Sequence, residues 1–222
     1  RGVVASCSYA ARRAGIHSAM PMSRALRLLP ELIVVSSRHH EYGRRSGEVM
    51  ALLANWTPLM EQVSVDEAFL DLTDLPDDLE SLARRVQAEI RENTGLPCSL
   101  GGAGNKLVAK IANDVGKSKR KSNSPPNAIT IVPPGTEAEF LAPLPVKALW
   151  GVGEKTAERL NQLGFFTAGQ LALAEEKLLT REFGKYGRFM RLAANGMDDT
   201  PIVTEHEVKS ISQEVTFERD VS

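Results

Sequence analysis

The hydrophobic pattern changes period several times along the chain. Residues 3–5 read as the end of a strand. Polar Ser6 and Ser8 then turn the chain into a short helix over residues 9–14, which Gly15 closes. A second short helix is expected over residues 22–29, stopped by Pro30, and the branched residues 32–35 read as a strand. Tyr42, Val49, Leu52 and Leu53 recur at helical spacing within residues 41–55. Two short β-prone runs follow, 61–65 and 68–73, with Asp66 and Glu67 between them. They read as a hairpin, although Asp-Glu lacks the glycine that the tightest hairpin turns prefer. Asp77 and Glu80 form a capping-box-like start to a helix with Leu79, Leu82, Val86 and Ile90 on one side, and Gly95 ends it. A small-residue strand over 98–102, a helix over 105–115 and a strand over 129–132 complete a βαβαβ-like alternation. That order predicts an α/β sheet domain up to about residue 133.

Beyond Pro133-Pro134-Gly135 the pattern becomes all-helical with short loops. Thr167 and Gln170 form a second capping box, and Gly164 and Gly196 act as C-terminal stops. The polar, basic stretch 117–127 is the most linker-like segment, and residues 209–222 read as a strand. No repeat of about 20–50 residues is present.

Composition narrows the class. The 222 residues are 42% hydrophobic and 25% charged, which argues against a largely disordered or collagen-like chain. No apolar run approaches the roughly 18 residues of a membrane span, so no membrane association is expected. Cys7 and Cys98 offer neither a disulfide framework nor metal spacing, which fits a reducing, cytoplasmic setting. The first residue is Arg1, with no initiator Met and no signal peptide, as expected of a fragment.

The net charge of −1 gives no support by itself for nucleic-acid binding, but its distribution is uneven. Residues 1–30 carry five arginines and no acid. Residues 61–80 carry eight acids and no base. Residues 104–121 carry Lys106, Lys110, Lys117, Lys119, Arg120 and Lys121 against Asp114. Solvated faces would produce such blocks. So would carboxylates that hold a divalent cation beside bases that hold a polyphosphate.

Three groups of residues carry candidate chemistry. Asp66 and Glu67 would diverge on a regular strand, whereas at a hairpin tip both can aim at one point. Held by apolar Val63, Val65, Phe69 and Leu70, they offer hard oxygen ligands for Mg²⁺; the alternative is a surface turn with two solvated acids. Tyr9 and Arg12 share a helix side and offer donors to phosphate, as Lys106, Lys110 and Lys117 do on the basic helix, although each set also fits a surface face. Residues 144–150, the turn Gly151-Val152-Gly153 and residues 154–160 read as helix, tight turn, helix. That turn, with Lys155 and Thr156 at the second helix's N-terminus, suits a DNA backbone or a plain helical corner.

Five segments, in order, carry a family resemblance: 4–12 (Val-Ala-Ser-Cys-Ser-Tyr-Ala-Ala-Arg), 18–21 (Ser-Ala-Met-Pro), 64–71 (Ser-Val-Asp-Glu-Ala-Phe-Leu-Asp), 105–112 (Asn-Lys-Leu-Val-Ala-Lys-Ile-Ala) and 150–153 (Trp-Gly-Val-Gly). The chain resembles the Y-family (translesion) DNA polymerases, close to their bacterial DNA polymerase IV branch. The resemblance implies a right-hand architecture: small α/β fingers over 1–35, an α/β palm over 36–132, an all-helical thumb over 133–199, and a linker with the first little-finger strand over 200–222. It makes Asp66 and Glu67 catalytic, metal-binding carboxylates for two Mg²⁺ ions, with Mn²⁺ as a substitute. Tyr9, Arg12 and Lys117 become dNTP triphosphate contacts, and Ser64, Gly151, Val152, Gly153, Lys155 and Thr156 DNA contacts. Val3, Ala5 and Ala19 become a small-residue roof over the templating base.

The implied partners are primer–template DNA, a dNTP and a sliding clamp, the last through a C-terminal segment outside these residues; the implied state is a monomer. The family's first palm strand, with a further metal-binding Asp, would precede Arg1, so residues 1–222 alone are expected to be inactive. At the triphosphate lysine the family's Lys-Pro is replaced by Lys117-Ser118. A non-catalytic DNA-binding accessory protein of the same fold is the rival reading, and another two-metal enzyme, a nuclease or cyclase, is a second.

Overall fold

The structure, a computed structural model, describes residues 2–119, 125–205, 207, 210–215 and 217. Arg1, Arg120, Lys121 and half of the strand expected over 209–222 therefore lie outside the described residues; residues 210–215 form no strand.

The first 30 residues build a small core of their own. Val4 is buried with Ala11, Ile16, Met20 and Ala25. Backbone bonds from the Val4 N–H to the Met20 C=O (2.9 Å) and from the Ala19 N–H to the Val4 C=O (2.8 Å) close it. Helix α1 (Tyr9–Arg13) starts where the Ser8 hydroxyl accepts the Ala11 N–H at 3.2 Å, and α2 is Met22–Leu28. The strand expected over 32–35 is absent. The segment has no ladder partner among the described residues, and Ile33 is 86% exposed. Branched side chains favour a pleated surface only where a neighbouring strand supplies one.

Helix α3 (His39–Ala54) leads to strands β1 (Met60–Gln62) and β2 (Ala68–Leu70), the expected hairpin in shortened form, with Met60 opposite Leu70 and Gln62 opposite Ala68. Helix α4 (Leu79–Thr94) is capped by Asp78 rather than Asp77. The Asp78 carboxylate accepts the Ser81 N–H at 3.0 Å and its hydroxyl at 2.6 Å, while the neighbouring Asp77 pairs with Arg85 at 2.6 Å. Gly95 then ends α4 in the left-handed conformation. Strand β3 (Leu100–Gly102), helix α5 (Lys106–Ser118) and strand β4 (Ile129–Ile131) form a parallel crossover.

The single βαβαβ sheet expected from the sequence is replaced by two separate two-stranded ladders, because no described strand joins them. The two are nevertheless neighbours. Met60, Ala68, Leu70 and Leu100 all pack on one cluster from α3 and α4: Met50, Leu53, Val86 and Ile90.

The remainder is helical: α6 (Glu137–Leu141), a 3-10 turn (Val146–Ala148), α7 (Glu154–Gln162), α8 (Ala168–Ala172), α9 (Glu176–Phe183) and α10 (Lys185–Ala194). The helix expected over 144–150 is only that 3-10 turn, because Pro145 and Leu149 on either side of it both have extended backbone (ψ 147° and 129°). Thr167 and Gln170 make the expected reciprocal cap of α8. Leu107, Val108, Ile111 and Ala112 of α5 enter the same core as Leu141, Leu160, Leu171, Leu179 and Met190. Helix α5 is thus the beam between the ladders and the helical half.

Candidate active site

The β1–β2 connection is a closed loop. The Val63 and Ser64 N–H groups both donate to the Glu67 C=O, at 2.9 and 3.2 Å. The Ser64 hydroxyl donates to Asp66 Oδ1 at 2.8 Å and accepts the Asp66 N–H at 3.3 Å. The tip therefore has a fixed shape, with Asp66 exposed and Glu67 half-buried. Asp71 is bound elsewhere, its Oδ1 accepting the Thr73 N–H at 2.9 Å; bonds from Thr73 hold its carboxyl below the ordinary range.

Helix α5 crosses behind this loop with a polar stripe at positions 106, 110, 114 and 117, a spacing that keeps all four on one side. Lys110 pairs with Glu67 and lies 3.8 Å from Asp114 Oδ1. Burial pulls Lys110 down. The hydrogen bond to Glu67, and the charges of Asp114, Glu67 and Asp66, outweigh it and leave the ammonium raised above its ordinary value. Lys106 is 8% exposed and pairs with Glu61 at 2.7 Å. Lys117 Nζ lies 3.1 Å from the Asn113 amide oxygen, with that amide turned so that its nitrogen donates to the Ser99 C=O.

The Asp66, Glu67, Ser64 and Lys110 side chains are brought together at the tip. Lys110 was visible in the sequence only as one of several bases, because its partner is 43 residues away. Tyr9 and Arg12 stand apart on α1, with the Arg12 guanidinium 5.8 Å from the Tyr9 ring centre. No hydrogen bond or ion pair among the described residues joins them to the carboxylates. Val3, Ala5 and Ala19 are all exposed on the N-terminal unit, opposite to buried Val4, and Val3 bridges Pro21. Ala19 is the one non-glycine with positive φ (65°) among the described residues, a conformation that costs about 1–2 kcal/mol.

At the second candidate surface, Gly151 has φ +90° and its C=O accepts the Tyr186 hydroxyl at 2.5 Å. Gly153 caps α7 without a side chain, which leaves first-turn N–H groups for another acceptor, with Lys155 exposed and Thr156 half-buried beside them. Val152 is buried and its N–H donates to the Leu149 C=O. Trp150 connects the two surfaces, its ring centre 5.8 Å from that of Phe69 in β2.

Two carboxylates at a rigid tip fit a hard divalent cation, which commonly takes one or two protein carboxylates with water and phosphate filling the rest of its shell. No group of three His, Cys, Asp or Glu side chains that could hold a metal occurs among the described residues, so any such ion would need ligands beyond these two.

With this geometry in hand, the likeness to known proteins is specific. The impB/mucB/samB family model matches residues 1–114, and the helix-hairpin-helix motif model of the same family matches residues 134–165. The chain belongs to the impB/mucB/samB family. DNA polymerase IV of Methanoculleus marisnigri is 43% identical over the whole chain, which covers 60% of that protein; DNA polymerase IV of Alkalilimnicola ehrlichii is 40% identical, with 61% of it covered. Among solved structures, DinB from Sulfolobus solfataricus superimposes with a TM-score of 0.81 at 30% identity, over 90% of this chain and 58% of that one. An insertion ternary complex of Dbh DNA polymerase gives 0.80 at 30% identity, with the same coverage. The resemblance drawn from the five sequence motifs, and the fold class with it, is borne out. The chain spans about 60% of the length of these curated relatives. No helix among the described residues is long and apolar enough to cross a membrane.

Proposed function

We propose that this chain carries the catalytic part of a translesion DNA polymerase, adding deoxynucleotides to a primer on a DNA template during damage tolerance. The observation that carries the reading is the loop holding Asp66 and Glu67 at one fixed tip, against a helix that presents Lys110 and Lys117 on one side. In this reading residues 1–35 are fingers, 36–132 palm, 133–199 thumb, and 200–222 lead to a little finger. The primer 3′-hydroxyl attacks the α-phosphorus of the dNTP: a new P–O bond forms, the bond from that phosphorus to the bridging β-phosphate oxygen breaks, pyrophosphate leaves, and the hydroxyl proton passes to water. Asp66 and Glu67 would hold Mg²⁺, or Mn²⁺ in its place, and bound ions supply charge neutralisation to the attacking and leaving oxygens.

The chain's own groups do the positioning. Ser64 orients Asp66, and Lys110 orients Glu67. Tyr9, Arg12 and Lys117 receive the triphosphate once the unit carrying α1 closes over the tip. Ser64, Gly151, Val152, Gly153, Lys155 and Thr156 take the DNA backbone through hydrogen bonds and charge, without reading sequence. Val3, Ala5 and Ala19 present small side chains to the templating base, which leaves room for a damaged one. The reading also takes the protein as a cytoplasmic monomer that meets a sliding clamp through a segment beyond these residues.

The test is primer extension by a chimera in which residues 1–222 replace the matching part of the Methanoculleus marisnigri protein. Template-dependent extension is expected, with a loss of at least about a hundredfold on Asp66→Ala or Glu67→Ala and little change in DNA binding. Extension that survives either substitution would favour the non-catalytic reading of the tip.

A further inference from the structure

One buried ion pair does more than join a strand to a helix. Glu61 Oε2 accepts from Lys106 Nζ at 2.7 Å and also from the Val203 N–H at 2.8 Å. Lys106 Nζ donates in turn to the Pro201 C=O, again at 2.7 Å. Nearby, Asp198 Oδ2 accepts the Leu107 N–H at 3.1 Å, and the Asn105 amide donates to the Gly196 C=O at 2.8 Å. Residues 196–203 are therefore stitched to the first turn of α5 and to β1 at the same place. The two charged side chains are only 8% and 12% exposed.

We infer that Glu61 and Lys106 are positioning residues of the acidic tip, holding the base of its hairpin against α5 only while segment 198–203 is seated against both of them. Glu61 stands opposite Phe69 in the ladder, and the Phe69 ring lies 5.6 Å from the same Lys106 ammonium. One helical turn along, Lys110 holds Glu67 at the tip. Helix α5 thus grips the hairpin at two points. The tip contact is half-exposed and free to exchange partners, whereas the base contact is buried and sets the register. A buried pair is stable only when its remaining donors and acceptors are filled, and here the chain leaving α10 supplies one acceptor to Lys106 and one donor to Glu61. Movement of that chain is felt at Asp66 and Glu67 through β1.

The catalytic meaning of this anchor rests on the polymerase reading, but its test does not. Amide hydrogen exchange on the 222-residue chain, without metal or DNA, reads Val203 at the anchor and Val63 and Ser64 at the tip, with α10 amides as the reference. Lys106→Met and Glu61→Gln are each expected to speed exchange at Val203, Val63 and Ser64 by about tenfold relative to α10, and Lys106→Arg to restore slow exchange. The reversed pair Glu61→Lys/Lys106→Glu separates positioning from bulk stability. It keeps the attraction between strand and helix but offers no acceptor to the Val203 N–H and no donor to the Pro201 C=O. Val203 should stay fast in it, and Val63 and Ser64 should be fast as well. Tip amides that stay slow in Glu61→Gln, or that return to the parent rate in the reversed pair while Val203 remains fast, would overturn the inference. If Lys106→Met also loosens α10, Glu61→Gln and the reversed pair decide the matter.

Discussion

Asp66 and Glu67 are neighbours in sequence with different surroundings, and the difference assigns their work. Asp66 is exposed and takes its orientation from Ser64, two residues back. Glu67 depends on Lys110, a partner that only the fold supplies. The first relation is legible in the sequence, since Ser-x-Asp at a turn is a local arrangement; the second is not. Cys98 is a similar case. In the sequence it is one of two unremarkable cysteines, but burial beside the α3–α4 cluster pushes its thiol up to about 11. A thiol raised in the folded state stabilises the fold fully below its unfolded value, near 9, and that stability is lost as the pH rises through about 11. Urea midpoints measured at pH 8 and pH 10.5 should therefore fall further for the parent than for Cys98→Ala. Equal falls would show that the buried thiol contributes nothing to the alkaline limb.

At the level of elements, the small-residue character of β3 has a steric cause that the sequence does not reveal. A Cβ on Gly101 would lie 2.0 Å from the Ala109 carbonyl oxygen and 2.5 Å from the Asn113 nitrogen, both in the α5 backbone. Strand and helix touch main chain to main chain, and the side of α5 that carries the lysines is set by that contact. Gly101→Ala is expected to cost about 3 kcal/mol or more, because neither backbone can yield without moving the beam of the fold. Gly43→Ala is the matching control. Gly43 lies inside α3 with nothing within 4 Å of an added Cβ, and the change should gain about 0.5–1 kcal/mol of helix stability. Chemical denaturation of both variants checks the pair, and similar losses in the two would remove the steric explanation.

The same distinction separates the elements that were legible from those that were not. The acidic hairpin, the Gly95 stop and the Thr167–Gln170 cap are encoded within a few residues of where they act. The strand expected over 32–35 and the single sheet depended on ladder partners distant in sequence, and no pattern of branched residues specifies those.

Across the whole molecule, burial is unevenly shared. The helical half and α5 form one continuous core that reaches from Leu107 to Ala194. The N-terminal unit has its own cluster, in which the buried side chains are Val4, Ala11, Ile16, Met20 and Ala25. Two of these are alanines. The three larger ones bury little apolar surface for the length of backbone that must be ordered with them. Residues 2–32 therefore cannot match the rest of the chain in resistance to opening. Strain at Ala19, which sits in the bond network that closes the unit, lowers that resistance further. Native-state hydrogen exchange in low urea should show the Val4 and Ala19 amides opening together, at lower free energy and with weaker urea dependence than amides of α10. The same free energy and urea dependence for both groups would mean that the N-terminal unit opens only with the whole molecule.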